Sequence, residues 1–346
     1  MIRTLNINEF LETARGIPIV DVRTPLEYDH AHIPGAFNLP IFTNEERVKV
    51  GTTYKQQGRE AAILLGFDLT GPKWSGFIKT ALDIAPDKRI GLHCWRGGMR
   101  SGAMAWALNL YGFEVYLLDG GYKKFRNWVL NKFNESYNIL VLGGMTGSGK
   151  TKVLKELRGK GQQVIDLEEL AAHQGSSYGS MGKTVQPSQE YFENLLATEL
   201  DLIDNAAPLW LEDESLTIGK RFIPNGLWHQ MREATVIKMI VPVEERISFL
   251  AEEYGALDRD FLVESTERIR KRLGPVQTRD AVTAIRDNRI EDFVKEVLVY
   301  YDKSYGTGQN KRLPASIHSV ECTDTDSIRN ADTILNYYST LQFSPA

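Results

Sequence analysis

His93-Cys94-Trp95-Arg96-Gly97-Gly98-Met99-Arg100-Ser101 places a cysteine between an apolar run and a turn containing two glycines. Such a turn is rich in backbone N–H groups, which hold an anion and lower a thiol's pKa. The cysteine becomes a nucleophile at neutral pH. Further along, Gly143-Gly144-Met145-Thr146-Gly147-Ser148-Gly149-Lys150-Thr151 fits the phosphate-loop pattern from Gly144 to Thr151, and the apolar run Ile139–Leu142 leads into it. One chain therefore combines a sulfur-type nucleophile with a diphosphate cradle. Few reactions need both.

Outward from these loops, short apolar runs alternate with amphipathic stretches, which signals α/β domains built on parallel sheets. Ile17–Val22, Arg89–His93 and Glu114–Leu118 read as buried strands, and Ser101–Leu110 as the helix that opens after the cysteine loop. The polar segment Asn131–Asn138 reads as a linker, dividing the chain into residues 1–132 and 138–346. Beyond it, Ile139–Leu142, Val164–Leu167, Leu209–Leu211 and Val236–Val241 are expected strands. Lys150–Lys160, Ser188–Asn205 and Val243–Tyr254 are expected helices. From Asp258 the chain reads as mainly helical, with one more strand at Ser316–Val320.

The chain has 346 residues, enough for two cores, with a formal net charge of −4. It is not generally basic, so contact with nucleic acid requires a local patch. No apolar run has the length of a membrane span, and the N-terminus lacks the regions of a signal peptide. Two cysteines make no disulfide framework, so a reducing cytoplasm is expected. Cys322 follows a strand and reads as a small buried residue.

In the phosphate loop, Gly144, Gly147 and Gly149 let the backbone approach phosphates beside Ser148. Lys150 reaches the terminal ones, and Thr151 can ligate Mg²⁺. The acids Glu212-Asp213-Glu214 follow a strand, where such enzymes hold a metal-bound water; Asp213 is the first choice and Glu212 the next. No dedicated metal-ligand set is read from the sequence. Seven basic residues between Thr266 and Arg289 (Arg268, Arg270, Lys271, Arg272, Arg279, Arg286 and Arg289) face only Glu267, Asp280 and Asp287, a local balance of +4. Four-residue spacing puts Arg268 and Arg272 on one helical face. The segment is a lid over a diphosphate, a surface for RNA backbone or a solvated helix.

Asp21-Val22-Arg23, Glu27 four residues on from that arginine, and His32-Ile33-Pro34-Gly35-Ala36 resemble the rhodanese family. Leu118-Asp119-Gly120-Gly121-Tyr122, with Trp128 beyond, matches the end of that domain. The resemblance implies an N-terminal rhodanese-like parallel-sheet domain, followed by a P-loop NTPase-like α/β domain with a helical C-terminal region. It also implies that Cys94 carries a sulfane sulfur or selenium. Cys94 and Arg100, followed by Ser101, are spaced as in cysteine-dependent phosphatases, so Arg100 could bind a tetrahedral oxyanion. Two readings stand: a phosphatase, or a chalcogen transferase whose donor is itself a phosphate, such as selenophosphate.

The two domains in this order resemble the tRNA 2-selenouridine synthase family. Asp166-Leu167-Glu168, His173-Gln174-Gly175-Ser176-Ser177-Tyr178-Gly179 and Glu212-Asp213-Glu214-Ser215 with Ile218-Gly219 complete the match. The resemblance implies a tRNA partner with 2-thiouridine at the wobble position, and geranyl diphosphate and selenophosphate as co-substrates. Sulfur is first geranylated and then replaced by selenium, with Cys94 holding or delivering it and Arg96 and Arg100 neutralising the selenophosphate. The same loops would also permit an ATP-dependent kinase fused to a phosphatase-like domain, acting on RNA or a small molecule. A non-catalytic scaffold is a third reading, against which Cys94 and Lys150 argue.

Overall fold

The computed structural model describes residues 1–173, 178, 185–309 and 316–342. Its contacts divide the chain into two compact units: Met1–Lys132 with Ser188–Thr198, and Phe133–Pro187 with Glu199–Ala346.

The first unit is built on β1 (Ile2–Leu5), β2 (Ile19–Asp21), β3 (Phe37–Asn38), β4 (Arg89–His93) and β5 (Glu114–Leu118). They form one sheet in the order β1-β5-β4-β2-β3, with every neighbouring pair parallel. Val20, Ile90, Leu92 and Val115 are fully buried in its core, as expected for a parallel sheet covered on both faces. Because β4 is central, the residue after its C-terminal end lies in the crevice where open parallel sheets place their ligands. That residue is Cys94.

Between β3 and β4 run three helices that the sequence reading did not anticipate: Asn44–Gln57, Arg59–Thr70 and Trp74–Ile84. The first buries none of its residues, so it carries no apolar periodicity to read. The edge strand β1 also went unread, because three of its four residues are exposed.

The second unit contains β6 (Ile139–Gly144), β7 (Gln163–Val164), β8 (Leu209–Glu212), β9 (Thr217–Ile218), β10 (Arg221–Phe222), β11 (Thr235–Ile240) and β12 (Ile317–Glu321). β9 and β10 form an antiparallel hairpin. The other five make a parallel sheet in the order β12-β11-β6-β8-β7, again with the loop-bearing strand at its centre. Leu142, Ile237 and Met239 pack there against Val153 and Leu157 of helix Lys150–Gly159. The expected strand Val164–Leu167 stops at Val164. Asp166 accepts a hydrogen bond from the Glu169 N–H at 2.9 Å and starts helix Leu167–Leu170 instead. Cys322 is buried in this core, where burial and the charges of Glu321 and Asp324 push its thiol up to about 11.

Helices Arg259–Arg268, Arg270–Leu273, Pro275–Arg286 and Ile290–Gln309 share a second core around Leu262, Ile285 and Phe293. The expected common face of Arg268 and Arg272 is interrupted, because the first helix ends at Arg268 and the next begins at Arg270, with Ile269 as the cap between them. Arg268, Arg270, Arg279 and Arg289 pair with Glu264, Glu267, Asp280 and Asp287; of these acids only Glu264 lies outside the segment already balanced at +4. No helix among the described residues is long and apolar enough to cross a membrane.

Two glycines after β5 set the cysteine loop. Gly121 has φ +59°, and a Cβ there would lie 2.4 Å from the Cys94 carbonyl oxygen and 2.5 Å from the Gly97 nitrogen. Backbone forms that wall, so it cannot yield as a side chain would. Gly121→Ala should therefore lower the stability of the full chain by about 3 kcal/mol. Thermal unfolding followed by circular dichroism checks this; an unchanged midpoint would show that the turn relaxes freely.

Candidate active site

Cys94 leaves β4 and is 3% exposed. Its Sγ accepts from the Ser101 hydroxyl at 3.2 Å and from the Gly98 N–H at 3.3 Å. Burial works against the thiolate. The Ser101 hydroxyl and the N–H groups of Ser101, Arg96 and Gly98 outweigh it and hold the thiol below its ordinary pKa. Gly97, at φ +65°, makes the sharp turn, and helix Met99–Leu110 begins two residues later. Ser101 is therefore a thiolate donor as well as an early helical residue, a role its spacing from Cys94 alone did not reveal.

The two arginines diverge. Arg96 is exposed in the loop. Arg100 donates to Glu27 at 2.7 and 3.4 Å. Glu27 also closes the capping box of helix Pro25–His30 with Thr24. Burial opposes ionisation of Glu27, but the hydrogen bonds and charge of Arg100 hold its carboxyl below the ordinary value. Arg100 is thus already satisfied by a carboxylate, where the phosphatase-like spacing anticipates an oxyanion.

Beneath the loop, Arg23 and Asp21 form a buried pair with contacts of 2.6 to 3.0 Å. Arg23 also donates to the Ala31 carbonyl at 2.7 Å and lies 3.8 Å from the Tyr122 ring centroid. His93 is fully buried, and burial lowers its pKa against the opposing charge of Asp21 at 3.8 Å. Tyr122 closes the floor: its N–H donates to the Cys94 carbonyl at 2.8 Å. Its hydroxyl donates to Glu190 and accepts from Asn194, both at 2.8 Å. Those last two residues belong to Ser188–Thr198, which explains why that stretch counts with the first unit.

In the phosphate loop, Gly144, Gly147 and Gly149 all have positive φ. A Cβ on Gly147 would strike Leu250 at 2.7 Å and one on Gly144 the Ser148 hydroxyl at 2.6 Å. Lys150 Nζ lies 3.4 Å from Glu212, and the Thr151 hydroxyl donates to Glu212 at 2.9 Å. The acid beside Thr151 is therefore Glu212 and not Asp213, the first choice from sequence. Successive strand residues point to opposite faces, so Asp213 turns away and accepts from the Tyr305 hydroxyl at 3.2 Å. The Tyr305 oxygen also accepts from the Gly144 N–H at 2.8 Å, and Arg246 donates to the Thr146 carbonyl at 3.0 Å. The sequence gives no signal for either contact, since both partners come from distant helices.

Glu168, Glu212 and Glu214 bring carboxylate oxygens within 4.8 Å of one another. Burial, followed by repulsion from Glu212 and Glu168, pushes the Glu214 carboxyl well above the ordinary range. Each of the three thus faces two other carboxylates at close range. Of the segment His173–Gly179, only His173 and Tyr178 are among the described residues, and the Tyr178 hydroxyl meets Thr266 at 3.0 Å.

A donor-lined cysteine loop on a rhodanese-type sheet and a P-loop on a second parallel sheet define a two-domain enzyme class. The sequence pattern of the rhodanese-like domain matches residues 7–127, and that of the tRNA 2-selenouridine synthase AAA domain matches residues 137–325. The tRNA 2-selenouridine synthase of Nitrosomonas europaea is 38% identical over 275 residues, covering 76% of this chain and 70% of that protein. That of Nitrosomonas eutropha is 40% identical, covering 68% and 63%, and that of a Sulfurovum species 39%, covering 74% and 76%. The chain belongs to the tRNA 2-selenouridine synthase family.

Ser101→Ala should raise the Cys94 pKa, since it removes a donor to the thiolate while burial remains. The pH profile of Cys94 alkylation by iodoacetamide should shift to higher pH, with a slower rate at neutral pH. A profile identical to wild type would mean that the backbone N–H groups alone set the thiolate.

Proposed function

We propose that this chain makes 2-selenouridine from 2-thiouridine at the wobble position of tRNA in the cytoplasm, in two steps. First, the thiocarbonyl sulfur attacks geranyl diphosphate; a carbon–sulfur bond forms, a carbon–oxygen bond breaks and diphosphate leaves. Second, the selenium of selenophosphate attacks uracil C2; a carbon–selenium bond forms, the carbon–sulfur bond breaks as geranylthiol departs, and water cleaves the selenium–phosphorus bond to release phosphate. The order follows from leaving-group chemistry, because a thiocarbonyl sulfur is a poor leaving group and a thioether sulfur a good one. The reading is carried by one observation: the family match spans a chain with both a donor-lined cysteine and a P-loop.

In this reading Lys150 and the amides of Gly147 and Gly149 receive the diphosphate, beside Gly144 and Ser148, whose N–H groups donate to Tyr305 and Met145. Thr151 and Glu212, with Glu168 and Glu214 nearby, would hold Mg²⁺, which supplies positive charge to the leaving diphosphate. Asp213, which the sequence suggested, supports the loop through Tyr305. Cys94 holds or delivers the selenium, and Arg96 neutralises selenophosphate; Arg100 joins it only by exchanging its Glu27 partner. The basic residues between Arg268 and Arg289 serve the tRNA backbone, cover the diphosphate or remain a solvated, ion-paired face.

Cys94→Ser should abolish selenium transfer and leave geranylation largely intact, because the two steps use different loops. Mass analysis of nucleosides, after incubation of thiolated tRNA with each donor in turn, checks it. Normal 2-selenouridine formation would remove Cys94 from the mechanism.

Lys150→Ala should impair geranyl transfer by about 1.5–3 kcal/mol, the worth of a charge-assisted contact. Selenation of tRNA supplied already geranylated should persist. An unaltered geranylation rate at low geranyl diphosphate would exclude this loop as the diphosphate site.

A further inference from the structure

Above Cys94 opens a cavity of about 1160 Å³, beyond the roughly 300–1,000 Å³ of common small-ligand sites. Its floor is Cys94 and Gly98, and its walls are mainly apolar. Helices Asn44–Gln57 and Arg59–Thr70 supply much of the far wall. Val48, Tyr54, Phe67 and Met99 line it while remaining more than half exposed. Such contiguous exposed apolar surface marks a place for an apolar ligand. The helix that carries Val48 and Tyr54 buries none of its residues, so those side chains are not spent on the core. Arg47, Lys55 and Arg96 also line the cavity, adding positive charge suited to a phosphate-bearing substrate.

We propose that this cavity holds the geranyl chain of the S-geranylated uridine while selenium replaces sulfur. The inference rests on the geranylated intermediate proposed above. When C2 approaches selenium at Cys94, the departing sulfur is bonded to the same carbon, so its prenyl chain lies within a few bonds of the thiol. The apolar cavity that opens at Cys94 receives that chain. Release of geranylthiol then proceeds through the open side of the cavity, without crossing the packed sheet.

The test uses full-length protein, selenophosphate and an anticodon stem-loop RNA whose 2-thiouridine carries an S-methyl, S-dimethylallyl or S-geranyl group. In wild type, KM for selenation should fall by about tenfold with each added isoprene unit, since burying apolar carbons favours binding. Phe67→Asp combined with Val48→Asp should shrink the S-methyl to S-geranyl spread by at least about tenfold, as charge enters the wall. Phe67→Leu should keep the wild-type spread, and thermal midpoints show whether each variant is folded. An undiminished spread in the folded double variant, or no chain-length dependence in wild type, overturns the cavity assignment. If wild type selenates unalkylated 2-thiouridine but none of the alkylated RNAs, the intermediate itself is excluded and the inference with it.

Discussion

The Tyr122 N–H bond to the Cys94 carbonyl, 2.8 Å long, ties together the C-terminal ends of two adjacent parallel strands. The cysteine site depends on it. The approach needs Gly121 at positive φ, since no Cβ fits between the turn and the loop. It also brings the Tyr122 ring beneath the loop, where the Arg23 guanidinium rests 3.8 Å from its centre. Arg23 and Asp21 are both nearly inaccessible to solvent. A buried ion pair of this kind adds little net stability against its desolvation, but breaking it is costly. Its consequence is positional: Arg23 spans from Asp21 at the end of β2 to the Ala31 carbonyl and the Tyr122 face. Tyr122 extends the network to Glu190 and Asn194. A stretch far along the chain thereby braces the cysteine domain.

The phosphate loop is preorganised differently. Its cations and amides already have partners within the protein: Lys150 with Glu212, the Gly144 N–H with Tyr305 and the Thr146 carbonyl with Arg246. A diphosphate that recruits Lys150 exchanges one carboxylate for another anion, so the net gain is smaller than the contact alone would give. The same arrangement avoids leaving a half-buried ammonium unpaired. Repulsion among Glu168, Glu212 and Glu214 supplies the complementary bias, because a cation entering beside Thr151 relieves it.

The chemistry-bearing loops were legible because both depend on local sequence: glycine where φ is positive, an apolar strand before and a helix after. The strands Arg89–His93 and Glu114–Leu118 match the sequence reading residue for residue, since buried parallel strands read as continuous apolar runs. Helix Asn44–Gln57 was not legible, because its lack of burial leaves no apolar period. Choosing Glu212 over Asp213 needed the strand's facing, which a one-residue shift inverts. The engagement of Arg100 by Glu27 was beyond spacing arguments for another reason: the two residues meet across 73 positions of chain. Sequence spacing thus located the loops, while the partners that tune them came from tertiary contact.

Burial of Cys94 gives its reactivity a direction. Ser101 and Gly98 donors occupy the sulfur from the helix side, the backbone of Gly120 and Gly121 crowds the loop from β5, and the cavity opens over what remains. Anything the sulfur holds must project into that cavity, and any electrophile must arrive through it. The donors that lower the thiol's pKa also reduce its intrinsic nucleophilicity, so they favour a poised thiolate over an indiscriminate one. A site built this way discriminates by what its walls admit. Those walls are apolar beyond the loop and bear Arg47, Lys55 and Arg96, a lining that suits the geranylated tRNA proposed above as its substrate.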